Sequence, residues 1–204
     1  NVILVEQGMT PAPMTAVRQL VGHGLRGMLL RAFAMADLTI SEARIAELRP
    51  RIVEVYRGRI AQESRPFPGC LAALADLRAR GAALAVCTNK PEGLARLLLD
   101  QLEMTACFGA IVGGDTLPVQ KPDPAPLLEA IARCGGDPAR AILVGDASPD
   151  TGAAKAAGIP CVVCAFGYND LPPAELGGDV VVDHFDALAG AIADLVASCR
   201  ARPE

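Results

Sequence analysis

The stretch that most constrains this chain is residues 141–152, AILVGDASPDTG. Four apolar residues, Ala141-Ile142-Leu143-Val144, are bounded by turn formers, the pattern of a short buried strand. The run stops at Gly145-Asp146, which sets a carboxylate at the strand's carboxyl end. Ser148 is placed to cap a following helix with Pro149 at its first position, where a missing N–H is harmless. That helix runs through Ala157 and stops at Gly158, with Pro160 beyond it. In open α/β sheets, ligands bind outside the carboxyl ends of the strands. Asp146 and Asp150, four residues apart across this turn, suit a hard cation such as Mg²⁺, which takes oxygen ligands and keeps several waters. A helix cap plus a solvated loop acid would use the same residues.

The character of the chain changes at Arg65-Pro66-Phe67-Pro68-Gly69. Beyond it, helical patterns at 71–80, 92–102, 124–134 and 187–200 alternate with strand-like runs at 82–87, 110–113, 161–166 and 180–182. Such alternation predicts an α/β core over residues 66–204, a doubly wound and mostly parallel sheet with helices on both faces. Residues 1–65 give an all-helical module instead. Residues 16–21 form a short helical stretch, and Leu25, Met28, Leu29, Ala32 and Phe33 recur at helical spacing. Thr39-Ile40-Ser41-Glu42 has the form of a capping box. Pro50 predicts a break or kink, followed by a further helix over Ile52–Ser64. Residues 1–8, NVILVEQG, read either as a strand ending at Glu6 or as a helix tail closed by Gly8 before Pro11 and Pro13. Composition leaves both readings open.

Bulk properties narrow the function. A net charge of −4 gives no basic footprint for nucleic acid. The chain is 51% hydrophobic yet has no run of 18 apolar residues, which argues against a membrane span. Seven scattered cysteines read as small buried hydrophobes in a reducing, cytoplasmic compartment. Cys161 and Cys164, three apart on a strand, fall on opposite faces, which speaks against a metal or redox pair. Monomer and homodimer both remain compatible.

Three polar stretches end strands or open loops in the α/β half: Thr88-Asn89-Lys90, Lys121-Pro122-Asp123-Pro124, and Gly145 through Asp150. A hydroxyl, an ammonium and two acids at one sheet edge outline a phosphate-and-metal site. The hydroxyl and backbone N–H groups would hold phosphate oxygens, the lysine would balance their charge, and the acids would hold Mg²⁺. Thr88 as a mere helix cap and Lys121 as a solvated surface lysine remain the plainer alternatives.

These residues resemble a known family. Val86-Cys87-Thr88-Asn89-Lys90-Pro91, Gly113-Gly114-Asp115, Lys121-Pro122-Asp123-Pro124 and Val144-Gly145-Asp146-Ala147-Ser148-Pro149-Asp150 are similar to motifs II, III and IV of the haloacid dehalogenase superfamily, its phosphoglycolate phosphatases above all. Val21-Gly22-His23-Gly24-Leu25-Arg26 resembles the cap loop of those enzymes. The resemblance implies that Thr88 and the Asn89 N–H bind phosphate and that Lys121 bridges phosphate and nucleophile. It implies that Asp146 ligates Mg²⁺ while Asp150 acts on its second shell or its waters. His23, Gly24 and Arg26 would meet the substrate, and the helical module would be a cap closing over the site. The implied function is Mg²⁺-dependent hydrolysis of a small phosphomonoester, 2-phosphoglycolate above others, through an aspartyl-phosphate. Pyrophosphate or sugar phosphates as substrates, or a non-catalytic phospholigand-binding relative, are the alternatives. A signalling receiver domain fits less well, because its lysine comes last whereas Lys121 precedes Asp146.

The family's first motif, a strand followed by Asp-x-Asp-Gly-Thr, has no counterpart before the helical module. Laid on that motif, Glu6-Gln7-Gly8 would offer a glutamate as nucleophile and a glycine as acid/base, which is poor chemistry. The helix reading of residues 1–8 is therefore preferred, and the chain is expected to begin inside the cap, with the nucleophilic aspartate upstream. In the family the strand bearing that motif lies between the strands ending at Thr88 and Asp146. Those two strands are expected to lack their shared neighbour here, at roughly twice the usual ~4.8 Å spacing.

Overall fold

The computed structural model describes residues 1–17, 20 and 22–200. Helices come first: α1 (Val2–Glu6), α2 (Met14–Val17), α3 (Gly24–Ala34) and α4 (Glu42–Arg57). The ambiguous amino-terminal run is thus helical. Its Gly8 adopts φ 72°, and the Gly8 N–H closes back onto the Val5 carbonyl at 2.9 Å. Ile3 and Leu4 are buried against Leu29, Phe33, Ile45, Leu48 and Ile52, an apolar cluster drawn from the amino-terminal helical half of the chain.

Two expectations fail at α4. Its cap is Ser41, whose side chain accepts from the Arg44 N–H at 3.2 Å, and the Thr39–Glu42 box does not form because Glu42 turns to Arg26. Pro50 neither breaks nor ends the helix, which runs on to Arg57 and stops short of Ser64. An interior proline costs about 3 kcal/mol. Ile45, Leu48 and Ile52, buried on both sides of it, each contribute about 1.5–3 kcal/mol to holding one continuous stripe. The stripe wins.

After residue 69 come α5 (Cys70–Ala79), β1 (Ala85–Cys87), α6 (Glu92–Gln101), β2 (Ala110–Val112), α7 (Ala125–Arg133), β3 (Leu143–Gly145), α8 (Ser148–Ala157), β4 (Cys161–Cys164), β5 (Val180–Val182) and α9 (Leu188–Arg200). Each strand lies where the sequence places it, generally trimmed at its ends. All strand pairs are parallel: β1 with β2, Ala85 opposite Ala110, and β3 with β4 and β4 with β5, Leu143 opposite Cys161. Helices cover both faces. Val163 and Cys161 point into one cluster with Leu127, Leu143, Ala154 and Ile159, from α7, β3, α8 and the turn after it. Val162 and Cys164 point into the other, with Ala73, Leu77, Val182 and Leu188. The alternation is the period of two that a strand imposes. The six described cysteines are free, and burial pushes the Cys161 and Cys164 thiols up to about 12, so they behave as small hydrophobes. Among the described residues no helix is long and apolar enough to cross a membrane.

The sheet is in two pieces. Among the described residues no ladder joins β1 to β3. The Thr88 N–H reaches the Val112 carbonyl of β2 at 2.9 Å, so the backbone groups of Cys87, one residue earlier, face the opposite way. Val144, read from sequence as buried, is 36% exposed, and Ala85 is exposed too. Both lie on strands that border this open flank. Each unpaired backbone group sheltered from water there costs on the order of 1–3 kcal/mol, against a domain stability of roughly 5–15 kcal/mol. A polypeptide of residues 1–204 is therefore expected to bind the dye ANS and to lack near-ultraviolet circular dichroism while keeping its helical signal. A sharp, cooperative urea transition without dye binding would show the open flank to be tolerated.

Candidate active site

The turn from β3 into α8 carries both acids. Ser148 is the first residue of the helix and not its cap, and Pro149 is second. Asp150, third, turns back so that Oδ2 accepts the N–H groups of Asp146 and Ala147, each at 3.1 Å. Its Oδ1 takes the Lys121 ammonium at 2.5 Å. Asp150 is thus occupied, as a reciprocal cap and as a partner for Lys121, which leaves direct coordination of a cation to Asp146. The Asp146 Oδ2 accepts the Tyr168 N–H at 2.7 Å. Burial pushes the Asp146 carboxyl up, the Tyr168 N–H draws it down, Asp150 pushes it up and Lys121 draws it down; it stays above its ordinary value. Two glycines make room. A Cβ on Gly145 would stand 2.4 Å from the Asp150 Cβ, and one on Gly167 would stand 2.3 Å from the Asp146 Oδ2.

Lys121, 8% exposed, also donates to the Cys87 carbonyl at 2.5 Å, on the open edge of β1. One ammonium therefore links the end of β1 to the first turn of α8, the helix that follows β3. The buried side chain of Asn89 donates to the Lys121 carbonyl at 3.0 Å and to the Gly22 carbonyl at 3.3 Å. This leaves its backbone as the group available for phosphate. Thr88 ends β1, and its hydroxyl accepts the Lys90 N–H at 3.2 Å. Gly113 and Gly114 lie under this turn, since Cβ atoms there would come within 2.2 Å of the Glu92 nitrogen and 2.4 Å of the Asn89 carbonyl oxygen. Asp115 caps α6 through the Glu92 N–H at 2.7 Å.

The loop singled out in the helical module packs onto this edge, though Val21 lies outside the described residues. Gly24, at φ 69°, leaves space for the Gln120 side chain, 3.0 Å from where a Cβ would be. His23 Nε2 lies 3.0 Å from Asp170 Oδ2, in an approach not aligned for a hydrogen bond. Arg26 is clasped by Glu42, with both carboxylate oxygens within 3.0 Å of its Nε, and its side chain is 58% exposed. A cavity of about 270 Å³ opens between these parts, bordered by His23, Arg26, Arg31, Gln120 and Lys121. Among the described residues, the charged groups that line it are cationic.

Sequence reasoning missed the segment after β4. Gly167, Tyr168 and Asn169 hold Asp146, the Asn169 side chain donating to its carbonyl at 2.7 Å, and Asp170 accepts the Ser148 N–H at 2.9 Å. Extending the strand to Phe166 hid a turn that, like the others, lies at a strand's carboxyl end. Arg31 and Gln120 gave no signal beyond ordinary polar residues.

For a divalent ion the available chemistry is one hard carboxylate. Mg²⁺ is commonly held by one or two carboxylates with waters and substrate phosphate. Asp146 fits as such a ligand. Among the described residues no group of three or more His, Cys, Asp or Glu gathers to form a closed metal cage.

The fold is of the α/β class, with polar side chains gathered at the carboxyl ends of parallel strands, and comparison with known proteins shows its family. The family pattern of the haloacid dehalogenase-like hydrolases matches residues 1–164, and the chain belongs to that family. It is a phosphatase, similar to phosphoglycolate phosphatases. It is 40% identical over 201 residues to the phosphoglycolate phosphatase of Caulobacter vibrioides, covering 98% of this chain and 85% of that protein. It is 42% identical over 198 residues to the phosphoglycolate phosphatase of Agrobacterium fabrum, covering 97% and 85%. A crystal structure of a predicted phosphoglycolate phosphatase from Haemophilus somnus superposes with a TM-score of 0.84 at 28% identity, covering 94% of this chain and 87% of that one.

The raised Asp146 carboxyl has a measurable consequence. A group whose folded value exceeds its unfolded one stabilises the fold at low pH and loses that contribution as pH rises through the raised value. Without metal, Asp146→Asn is therefore expected to be more stable than wild type at pH 7. The advantage should shrink as pH falls toward the ordinary carboxylate range, read by thermal melts with chelator. A variant less stable at pH 7 would show that Asp146 holds the turn together as an anion.

Proposed function

We propose that this protein hydrolyses a small phosphomonoester, best fitted by 2-phosphoglycolate, in a Mg²⁺-dependent reaction that passes the phosphoryl group through an aspartyl-phosphate. The observation that carries this is the cationic cavity beside Lys121: it has room for a small dianion or trianion and more than one cation to meet it. In this reading residues 1–65 act as a cap over an α/β core of residues 66–204. The Thr88 hydroxyl and the Asn89 N–H receive phosphate oxygens, and Lys121 balances the charge that grows on them. Asp146 holds Mg²⁺, which offsets phosphate charge when bound. Asp150 keeps the Lys121 ammonium aimed at the open edge of β1. The accepting carboxylate would stand in the gap between β1 and β3, within reach of that ammonium. Its oxygen forms the new bond to phosphorus as the ester P–O bond breaks, the leaving oxygen takes a proton, and water then releases phosphate. The substrate's carboxylate would lie toward His23, Gly24 and Arg26. Free buried thiols are in keeping with a cytoplasmic setting.

Two variants of the intact protein test this. Lys121→Ala should lower kcat about 10²- to 10³-fold, because the interaction it removes strengthens in the transition state. Full activity in this variant, or in wild type with excess chelator, would overturn the reading. Arg26→Ala should raise KM for 2-phosphoglycolate several-fold more than for p-nitrophenyl phosphate. Equal effects on both esters would show that Arg26 serves only its pairing with Glu42.

A further inference from the structure

The Asp170 carboxylate is held by groups from two places that are remote in sequence. Its side chain is 7% exposed, and a charge buried to that degree must be paired. Ser148, at the amino end of α8, gives it both a backbone N–H at 2.9 Å and its hydroxyl. The third partner comes from the other half of the molecule: His23 Nε2 at 3.0 Å. Burial pushes the Asp170 carboxyl up, but the Ser148 hydroxyl and N–H, with His23, bring it below its ordinary value, so it is an anion at neutral pH. His23 borders the cavity and Asp170 does not. Two residues before Asp170, the Tyr168 N–H holds Asp146. One short turn therefore touches the metal-binding acid at one end and the loop of the helical module at the other.

We propose that Asp170 is the positioning residue that fixes the 22–27 loop over the cavity, holding the His23 ring by direct contact at 3.0 Å and tying it through Ser148 to the amino end of α8. Resting on the proposed phosphatase function, it governs binding of the substrate's carboxylate end while leaving phosphoryl transfer to the other residues. No contact other than His23 is needed to transmit the effect, so the two residues must act as one unit.

A double-mutant cycle in the intact protein tests this with Asp170→Asn, His23→Gln and the pair. Asn keeps an acceptor for the Ser148 N–H and removes the charge. Hydrogen exchange at the amides of residues 22–27 should quicken about tenfold in each single variant and no further in the double. Exchange at Val162 and Val163 should not change. Unaltered loop exchange in Asp170→Asn, multiplying effects in the double, or equal loosening of Val162 and Val163 would each overturn the proposal. In kinetics, Asp170→Asn should raise KM for 2-phosphoglycolate about tenfold, with kcat held within about threefold and p-nitrophenyl phosphate turned over as before. A matching fall in kcat for both esters would overturn it, because Asp170 would then act on the acids. The exchange cycle is independent of the substrate. If it succeeds while wild type fails to hydrolyse 2-phosphoglycolate, the proposal stands and the substrate reading falls.

Discussion

The buried ammonium of Lys121 is the contact on which the arrangement of this molecule turns. It lies 2.5 Å from the Cys87 carbonyl at the end of one half-sheet and 2.5 Å from Asp150, in the first turn of the helix that follows β3 of the other. A lysine and a carboxylate removed from water gain little net stability together, but either alone would be left as an uncompensated charge, at about 3–5 kcal/mol. The pair therefore fixes geometry more than it adds stability. Asp150 is pinned by two backbone amides, Lys121 by Asp150, and the Asn89 side chain by the Lys121 carbonyl. Through Asn89 the same chain of contacts reaches the Gly22 carbonyl in the helical module. A phosphatase needs a cation whose position does not change as charge develops on the substrate, and this network supplies one before any substrate arrives.

How much of this could be read from the sequence depended on whether the signal was local. Glycine and proline punctuation placed every strand, because β3 and its neighbours are short apolar runs that end in turn residues. The order of Thr88, Lys121 and Asp146 survived for the same reason: each sits just past an element whose end is marked. Local signals misled where packing outweighed them. Pro50 lies in a helix whose apolar stripe outweighs the proline, and Thr39 offers a cap that Ser41 provides instead. Asp170 and Tyr168 were illegible because their partners, Ser148, His23 and Asp146, are more than twenty residues away and no periodicity records such a contact.

Asp150 shows a further difference between motif and mechanism. As a letter in a motif it looks like a second metal ligand. In the structure its oxygens are taken by two amides and an ammonium, and its work is to shape the turn. Asp146, four residues earlier, is held by one backbone N–H and remains the carboxylate with capacity for a cation. Two chemically identical side chains on one turn are thus assigned different tasks by what already surrounds them.

Gly145 and Gly167 have no side chain to offer a substrate or a metal, yet each lies flush against one of the two acids. An added methyl at either would have to displace a carboxylate that other contacts hold fast. In a survey of tolerated variation these positions should be as silent as the acids themselves, and a search that scores only chemically active side chains would pass over both. The boundary of the active site, measured by what inheritance can change, therefore runs one layer deeper than the boundary drawn by chemistry.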